Sequence, residues 1–82
     1  MPKVLEIEGF KFFFYSNENN EPIHIHISRS KDQGEAEAKY WLFPTLEEVY
    51  CYGFKVKERK RIKILVEENA GTIINKWNEF FQ

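Results

Sequence analysis

Apolar and polar positions alternate with a period of two through the first half of the chain and recur every three to four residues in its last third. Strands are therefore expected first and a helix after them. The segment KVLEIEGFKFFFY divides at Glu8-Gly9, where glycine accepts the positive φ of a two-residue turn. Such a turn sets Ile7 opposite Phe10, Glu6 opposite Lys11, Leu5 opposite Phe12 and Val4 opposite Phe13. Leu5, Ile7, Phe10, Phe12 and Phe14 then share one face, and Glu6, Lys11, Phe13 and Tyr15 the other. SNENNEP, Ser16 to Pro22, has the composition of a loop, since Asn bonds to its own backbone and Pro cannot donate to a ladder.

A third strand, IHIHIS, alternates strictly, with Ile23, Ile25 and Ile27 on one face and His24, His26 and Ser28 on the other. Burying an isoleucine contributes about 1.5–3 kcal/mol, so the isoleucines take the core side and the histidines are expected to face outward. After RSKDQG a fourth strand, EAEAKYWL, sets Ala36, Ala38, Tyr40 and Leu42 against Glu35, Glu37, Lys39 and Trp41, and its carboxylates are expected on the histidine face. In PTLEEVYCYGF the Thr45–Glu48 spacing fits a capping box. The β-formers Val49, Tyr50, Cys51 and Tyr52 favour a short strand or extended segment, which is the reading adopted. From Val56 onward Ile62, Val66, Asn69 or Ala70, Ile73, Trp77 and Phe80 or Phe81 form one amphipathic stripe, with Gly71 marking a kink or a break. The expected fold is α+β: a four- or five-stranded, mainly antiparallel sheet with a long C-terminal helix, kinked or broken, packed on one face.

Length fits one domain spanning residues 1–82, and aromatic residues at 17% of 82 positions help a short chain assemble a core. Cys51 is the only cysteine, so no disulfide within the chain contributes. With no secretory n-region or h-region after Met1, a reducing compartment, the cytoplasm, is expected. No apolar run reaches the roughly 20 residues that span a bilayer, so no membrane association is expected. A net charge of −1 provides no general attraction to phosphate backbones, and nucleic-acid binding would need a local basic patch.

Three clusters carry candidate chemistry. His24 and His26, at i and i+2 on one strand face, suit general acid and base roles in phosphodiester cleavage, with Lys39 or Arg29 stabilising developing charge. A zinc site would need Glu35, Glu37 or Asp32 as third ligand; with no further histidine and no cysteine cluster, neither a metal site nor a cofactor is assigned. The simplest alternative pairs the histidines with Tyr15 or Glu37 on a solvated sheet face. The run KVKERKRIK, with Lys57, Lys60 and Arg61 as candidate phosphate contacts, is either a nucleic-acid patch or a solvated helix face. Its cations sit where they oppose the helix macrodipole, a placement that favours use by a partner. Phe13, Tyr15 and Trp41, expected exposed beside Glu37 and Lys39, suit a protein interface, because so much apolar area on a small monomer seldom stays wet.

EGFKFFFYSNE, EPIHIHI, EAKYWL and KRIKILVEENAGTIINKWNEFF together resemble the small bacterial domain of unknown function 4160 family, over nearly the whole chain. FFFYSNE combined with P-x-H-x-H carries most of the resemblance. It implies a cytoplasmic bacterial protein with a protein partner, in a gene pair of toxin–antitoxin type, and implies no established activity. The chain departs from the family at Lys55-Val56, where a Ser or Asp helix cap is expected. Two functions follow as expectations. The first is an interaction module that presents the face around His24 and His26 to a partner chain or a second copy. The second is a small metal-independent ribonuclease-type toxin in which the two histidines are acid and base and the basic run holds RNA.

Overall fold

A computed structural model of the chain describes residues 3–15, 20–31 and 34–81. Five strands, β1 (Lys3–Ile7), β2 (Phe10–Phe13), β3 (His24–Arg29), β4 (Glu37–Trp41) and β5 (Glu47–Tyr52), pair antiparallel in chain order as an open meander. Two helices follow, α1 (Val56–Glu68) and α2 (Ala70–Phe80). The fold is α+β as expected, with the segment 44–54 contributing the fifth strand.

The first turn forms as the Glu8-Gly9 pair predicts. Glu8 (φ 54°) and Gly9 (φ 83°) are both left-handed, which matches a two-residue turn to the strand twist. The pairs Ile7–Phe10, Glu6–Lys11 and Leu5–Phe12 match the expectation. The fourth does not: Lys3, not Val4, faces Phe13, because the register shifts between Lys3 and Leu5. A second shift, at Lys39/Tyr40, sets Lys39 against Tyr50 and Tyr40 against Glu48, so that Val49 has no opposite number.

One face of the sheet builds the core. Phe10, Phe12, Phe14, Ile25, Ile27, Ala38 and Tyr40 are buried against Ile62, Leu65 and Val66 of α1 and Ile73 and Trp77 of α2. The helical stripe is thus the expected one, but the break falls at Asn69, two residues before Gly71. There the Asn69 backbone N–H (3.0 Å) and side-chain amide (2.8 Å) both donate to the Leu65 carbonyl, and a side chain that competes for backbone groups in this way closes a helix.

Arginine–glutamate forks hold α1 on the sheet. Arg29 of β3 donates twice to Glu58 of α1 (2.8 and 2.7 Å), Arg59 of α1 twice to Glu48 of β5 (3.0 and 2.6 Å), and Arg61 of α1 twice to Glu8 in the first turn (2.7 and 2.5 Å). Each fork is bidentate, the geometry in which guanidinium and carboxylate interact most strongly. The missing Ser or Asp cap is explained here as well. Lys55 is the N-cap, and Glu58 accepts its backbone N–H at 2.8 Å, leaving the reciprocal half of a capping box to do without a cap side chain.

Candidate functional site

Period two sends His24, His26, Phe13, Tyr15, Glu37, Lys39 and Trp41 to the sheet face opposite α1, and β5 adds Tyr50 and Tyr52. Cross-strand register then brings them together. Phe13, His26, Lys39 and Tyr50 form one row across β2 to β5, and His24 faces Trp41 in the next.

The Glu37 carboxylate is the hub. It accepts from the Tyr15 hydroxyl (3.0 Å), the Tyr50 hydroxyl (2.5 Å) and His26 Nδ1 (3.2 Å). A carboxylate on Nδ1 puts the ring proton there and the lone pair on Nε2. His24 is fixed in the same sense, its Nδ1 donating to the Pro22 carbonyl at 2.9 Å. The tyrosine hydroxyl of Tyr50 is pushed to a higher pKa, first by burial and then by the hydrogen bond to Glu37 and its charge.

Aromatic rings close the cluster. His26 stacks on Phe13 (centroids 5.6 Å apart, 20° between planes) and meets Tyr15 edge-on at 4.5 Å. His24 lies 5.1 Å from His26, 5.5 Å from Trp41 and 5.0 Å from Trp77 of α2, whose ring also reaches Phe14 at 5.2 Å. The expectation of solvated histidines is therefore corrected: His24 is 0% and His26 2% exposed. They face away from the isoleucines, yet neighbouring rings cover them, and α2 reaches around the sheet end to seal His24. Phe13, expected exposed, is buried for the same reason. Tyr15 and Trp41, also expected exposed, are half-buried; the Lys39 ammonium lies 4.6 Å from the Trp41 ring and bonds Glu21 at 2.8 Å, and half-buried Tyr50 stacks on exposed Tyr52 with centroids 5.8 Å apart.

Lys57, Lys60 and Arg61 are not part of this assembly. They ride on α1, which packs against the isoleucine face, so the sheet separates them from the histidines. Arg61 is engaged with Glu8, and Arg59 with Glu48, so the arginines of the basic run are structural. Lys60 and Lys63 line an open groove of about 520 Å³ between β5 and α1, floored by Tyr40, Leu46 and Val56. Cys51 faces Ala38 on the core side, and burial pushes its thiol pKa up, away from nucleophile chemistry.

Among the described residues no group of three or more His, Cys, Asp and Glu side chains is arranged to hold a metal ion. Asp32, a candidate third ligand, and positions 16–19 of the Ser16–Pro22 loop lie outside the described residues.

The model of the family described as Domain of unknown function (DUF4160) matches residues 9–78. The chain belongs to the DUF4160 family. That match takes in every member of the histidine cluster as well as α1 and most of α2. No curated protein and no solved structure matches this DUF4160 chain. No helix in the described residues is long and apolar enough to cross a membrane.

Tyr50, Glu21 and Trp77 are the members of the site that sequence reasoning missed. Tyr50 was accessible in principle: with 44–54 as a strand, alternation across from Lys39 places its hydroxyl beside Glu37. Glu21 and Trp77 carry no such periodic signal, because one sits in a loop and the other arrives from a helix.

Proposed function

We propose that the chain is an interaction module, a bacterial cytoplasmic protein whose sheet face over the buried histidines docks another polypeptide, the second member of a toxin–antitoxin-like gene pair. The carrying observation is the construction of that face. A His–Glu–Tyr network lies beneath, and half-buried Trp41 and Tyr50 and exposed Tyr52 lie above it. Rigid aromatic rings with polar tips, held from below, are the residue type that anchors protein interfaces. Lys39 and Glu21 supply a charged rim beside Trp41. In this reading the histidines support the surface and do not contact the partner.

The ribonuclease alternative has one point in its favour, the Glu37–His26 pair, which orients an imidazole as a general base is oriented. Burial of both rings and the position of the basic run behind the sheet count against it.

Co-expression of the chain with the product of the neighbouring gene, followed by affinity purification, tests the proposal. Co-purification that is lost in Trp41→Ala, while the thermal unfolding transition of that variant stays sharp, is the expected result. Phe13→Ala is unsuitable as a probe, since emptying that buried position costs about 3–5 kcal/mol of stability by itself. Failure of the wild-type chain to co-purify, or retention of the complex by Trp41→Ala, refutes the reading.

A further inference from the structure

An open meander has two edges, and here they are not equivalent. Six large hydrophobic residues are exposed among the described residues, and four of them, Phe43, Val49, Tyr52 and Val56, belong to β5 or its flanks. None belongs to β1, the other edge. Val56 is 72% and Phe43 60% exposed. Charge is distributed along the same segment with a direction. Glu47 opens β5, and Lys55 and Lys57 follow its exit at Gly53; all three are exposed and none is locked in a bidentate fork, although Lys55 also acts on the Glu58 carboxylate. This contrasts with Glu48, Glu58, Arg59 and Arg61, all of which are held in forks.

We propose that the outer edge of β5 is a self-association surface on which a second copy of this chain pairs antiparallel about a twofold axis. A twofold reverses the strand, so the acidic start of each β5 lies against the basic exit of the other, and the surface is complementary to itself. Unpaired backbone groups of an edge strand supply the template. The groove of about 520 Å³ beside β5, with Leu46 and Val56 in its lining, adds apolar contact along the same edge. The register shift at Val49 limits this pairing, because a bulge twists an edge away from a new neighbour. Backbone pairing is thereby confined to the Tyr50–Tyr52 half, and the dimer is a weak one, held largely by side chains. The inference goes beyond the docking face, because it concerns the purified chain alone; Tyr50 and Tyr52 take part in it through their backbones at the edge, while their rings belong to the docking face.

Sedimentation equilibrium of the full chain from micromolar to millimolar concentration tests it, with Glu47→Lys, Lys55→Glu and the double variant carrying both changes. Wild type is expected to show a monomer–dimer equilibrium. Each single reversal sets like charges together at two symmetric places and weakens it by about tenfold or more. The double variant restores the opposite-charge arrangement and returns association towards wild type. A wild-type chain that stays monomeric throughout, single variants that associate as wild type does, or a double variant no tighter than the singles would each overturn the inference.

Discussion

Replacing Glu37 probes whether the buried cluster is an organised network or a set of incidental contacts. Its carboxylate holds the Tyr15 and Tyr50 hydroxyls and His26 Nδ1. In Glu37→Ala three donors lose their acceptor together. The two hydroxyls belong to half-buried tyrosines and recover water in part, whereas the His26 N–H, on a residue 2% exposed, does not. A buried donor left without a partner costs about 1–3 kcal/mol, and hydrogen bonds to a charged acceptor contribute about 1.5–3 kcal/mol, so the summed loss is about 3 kcal/mol. For a domain of this size each kcal/mol lowers Tm by about 4–8 °C, which makes the expected drop about 12–24 °C. Glu37→Gln keeps one acceptor oxygen but turns an amide donor towards the other donors, and is expected to cost about 1–2 kcal/mol. Urea unfolding followed by circular dichroism measures both. A double-mutant cycle with Tyr50→Phe is expected to give a coupling of about 1–2 kcal/mol, since the two changes remove one shared bond. An independent readout comes from the ultraviolet tyrosinate band. Glu37→Gln removes the charge that helps raise the Tyr50 pKa, weakens the hydrogen bond to a neutral one and leaves burial in place, so Tyr50 ionises at lower pH than in wild type while remaining raised. If Glu37→Ala lies within about 0.5 kcal/mol of wild type, the range of an ordinary surface substitution, the network reading is wrong.

Acid stability and one glycine offer sharper tests of the scaffold. The Arg29 fork and the Lys55 backbone N–H bring the Glu58 pKa down from 4.5 to about 2. A lowered folded pKa gives stability that is present above pH 4.5 and lost as pH falls towards about 2, so the stability gap between wild type and Glu58→Gln is expected to hold at neutral pH and to close across that window; a gap that does not change with pH refutes it. Gly53 has φ +79°, and an added Cβ would stand 2.4 Å from the Glu35 carbonyl oxygen and 2.8 Å from Ala36 Cα, whereas Gly9, at φ +83°, has open space around it. Gly53→Ala is therefore expected to cost more than about 3 kcal/mol and Gly9→Ala only the left-handed strain of about 1–2 kcal/mol, with equal losses in urea unfolding refuting the steric argument.

Strand identity and facing were legible because period two is a local property. IHIHIS and EAEAKYWL each assign their two faces without reference to anything else, and the core found in the structure is the one those assignments require. The register was legible only as far as it stayed regular. Counting outward from Glu8-Gly9 succeeds for three pairs and fails at Val4, since a bulge adds one residue and leaves the hydrophobic pattern on either side intact. The helix break shows the same limit. Gly71 is the residue of low helix propensity, but the break was decided by Asn69, whose amide reaches a carbonyl four residues back.

Facing and burial are different quantities, and the histidines separate them. Alternation states that His24 and His26 lie opposite the isoleucines; whether water reaches them depends on what the neighbouring rows contribute. Phe13 from β2, Tyr50 from β5 and Trp77 from a helix more than fifty residues further along the chain all contribute, and no window around EPIHIHIS contains them. The basic run KVKERKRIK has the same dependence on distant residues. Cations at a helix start oppose its dipole, which argues for an outside partner only while the partners inside the chain are unknown. Once Glu8 and Glu48 are seen in bidentate contact with Arg61 and Arg59, the placement has a structural cause, and the lysines are what remains for a ligand. Within this run the arginines, with their planar forks, went to the intramolecular pairs, and the lysines, flexible point charges, form none of the forks. That partition moves the functional question away from the densest charge in the sequence and onto the aromatic surface above a glutamate that the sequence marks only as one more alternating residue.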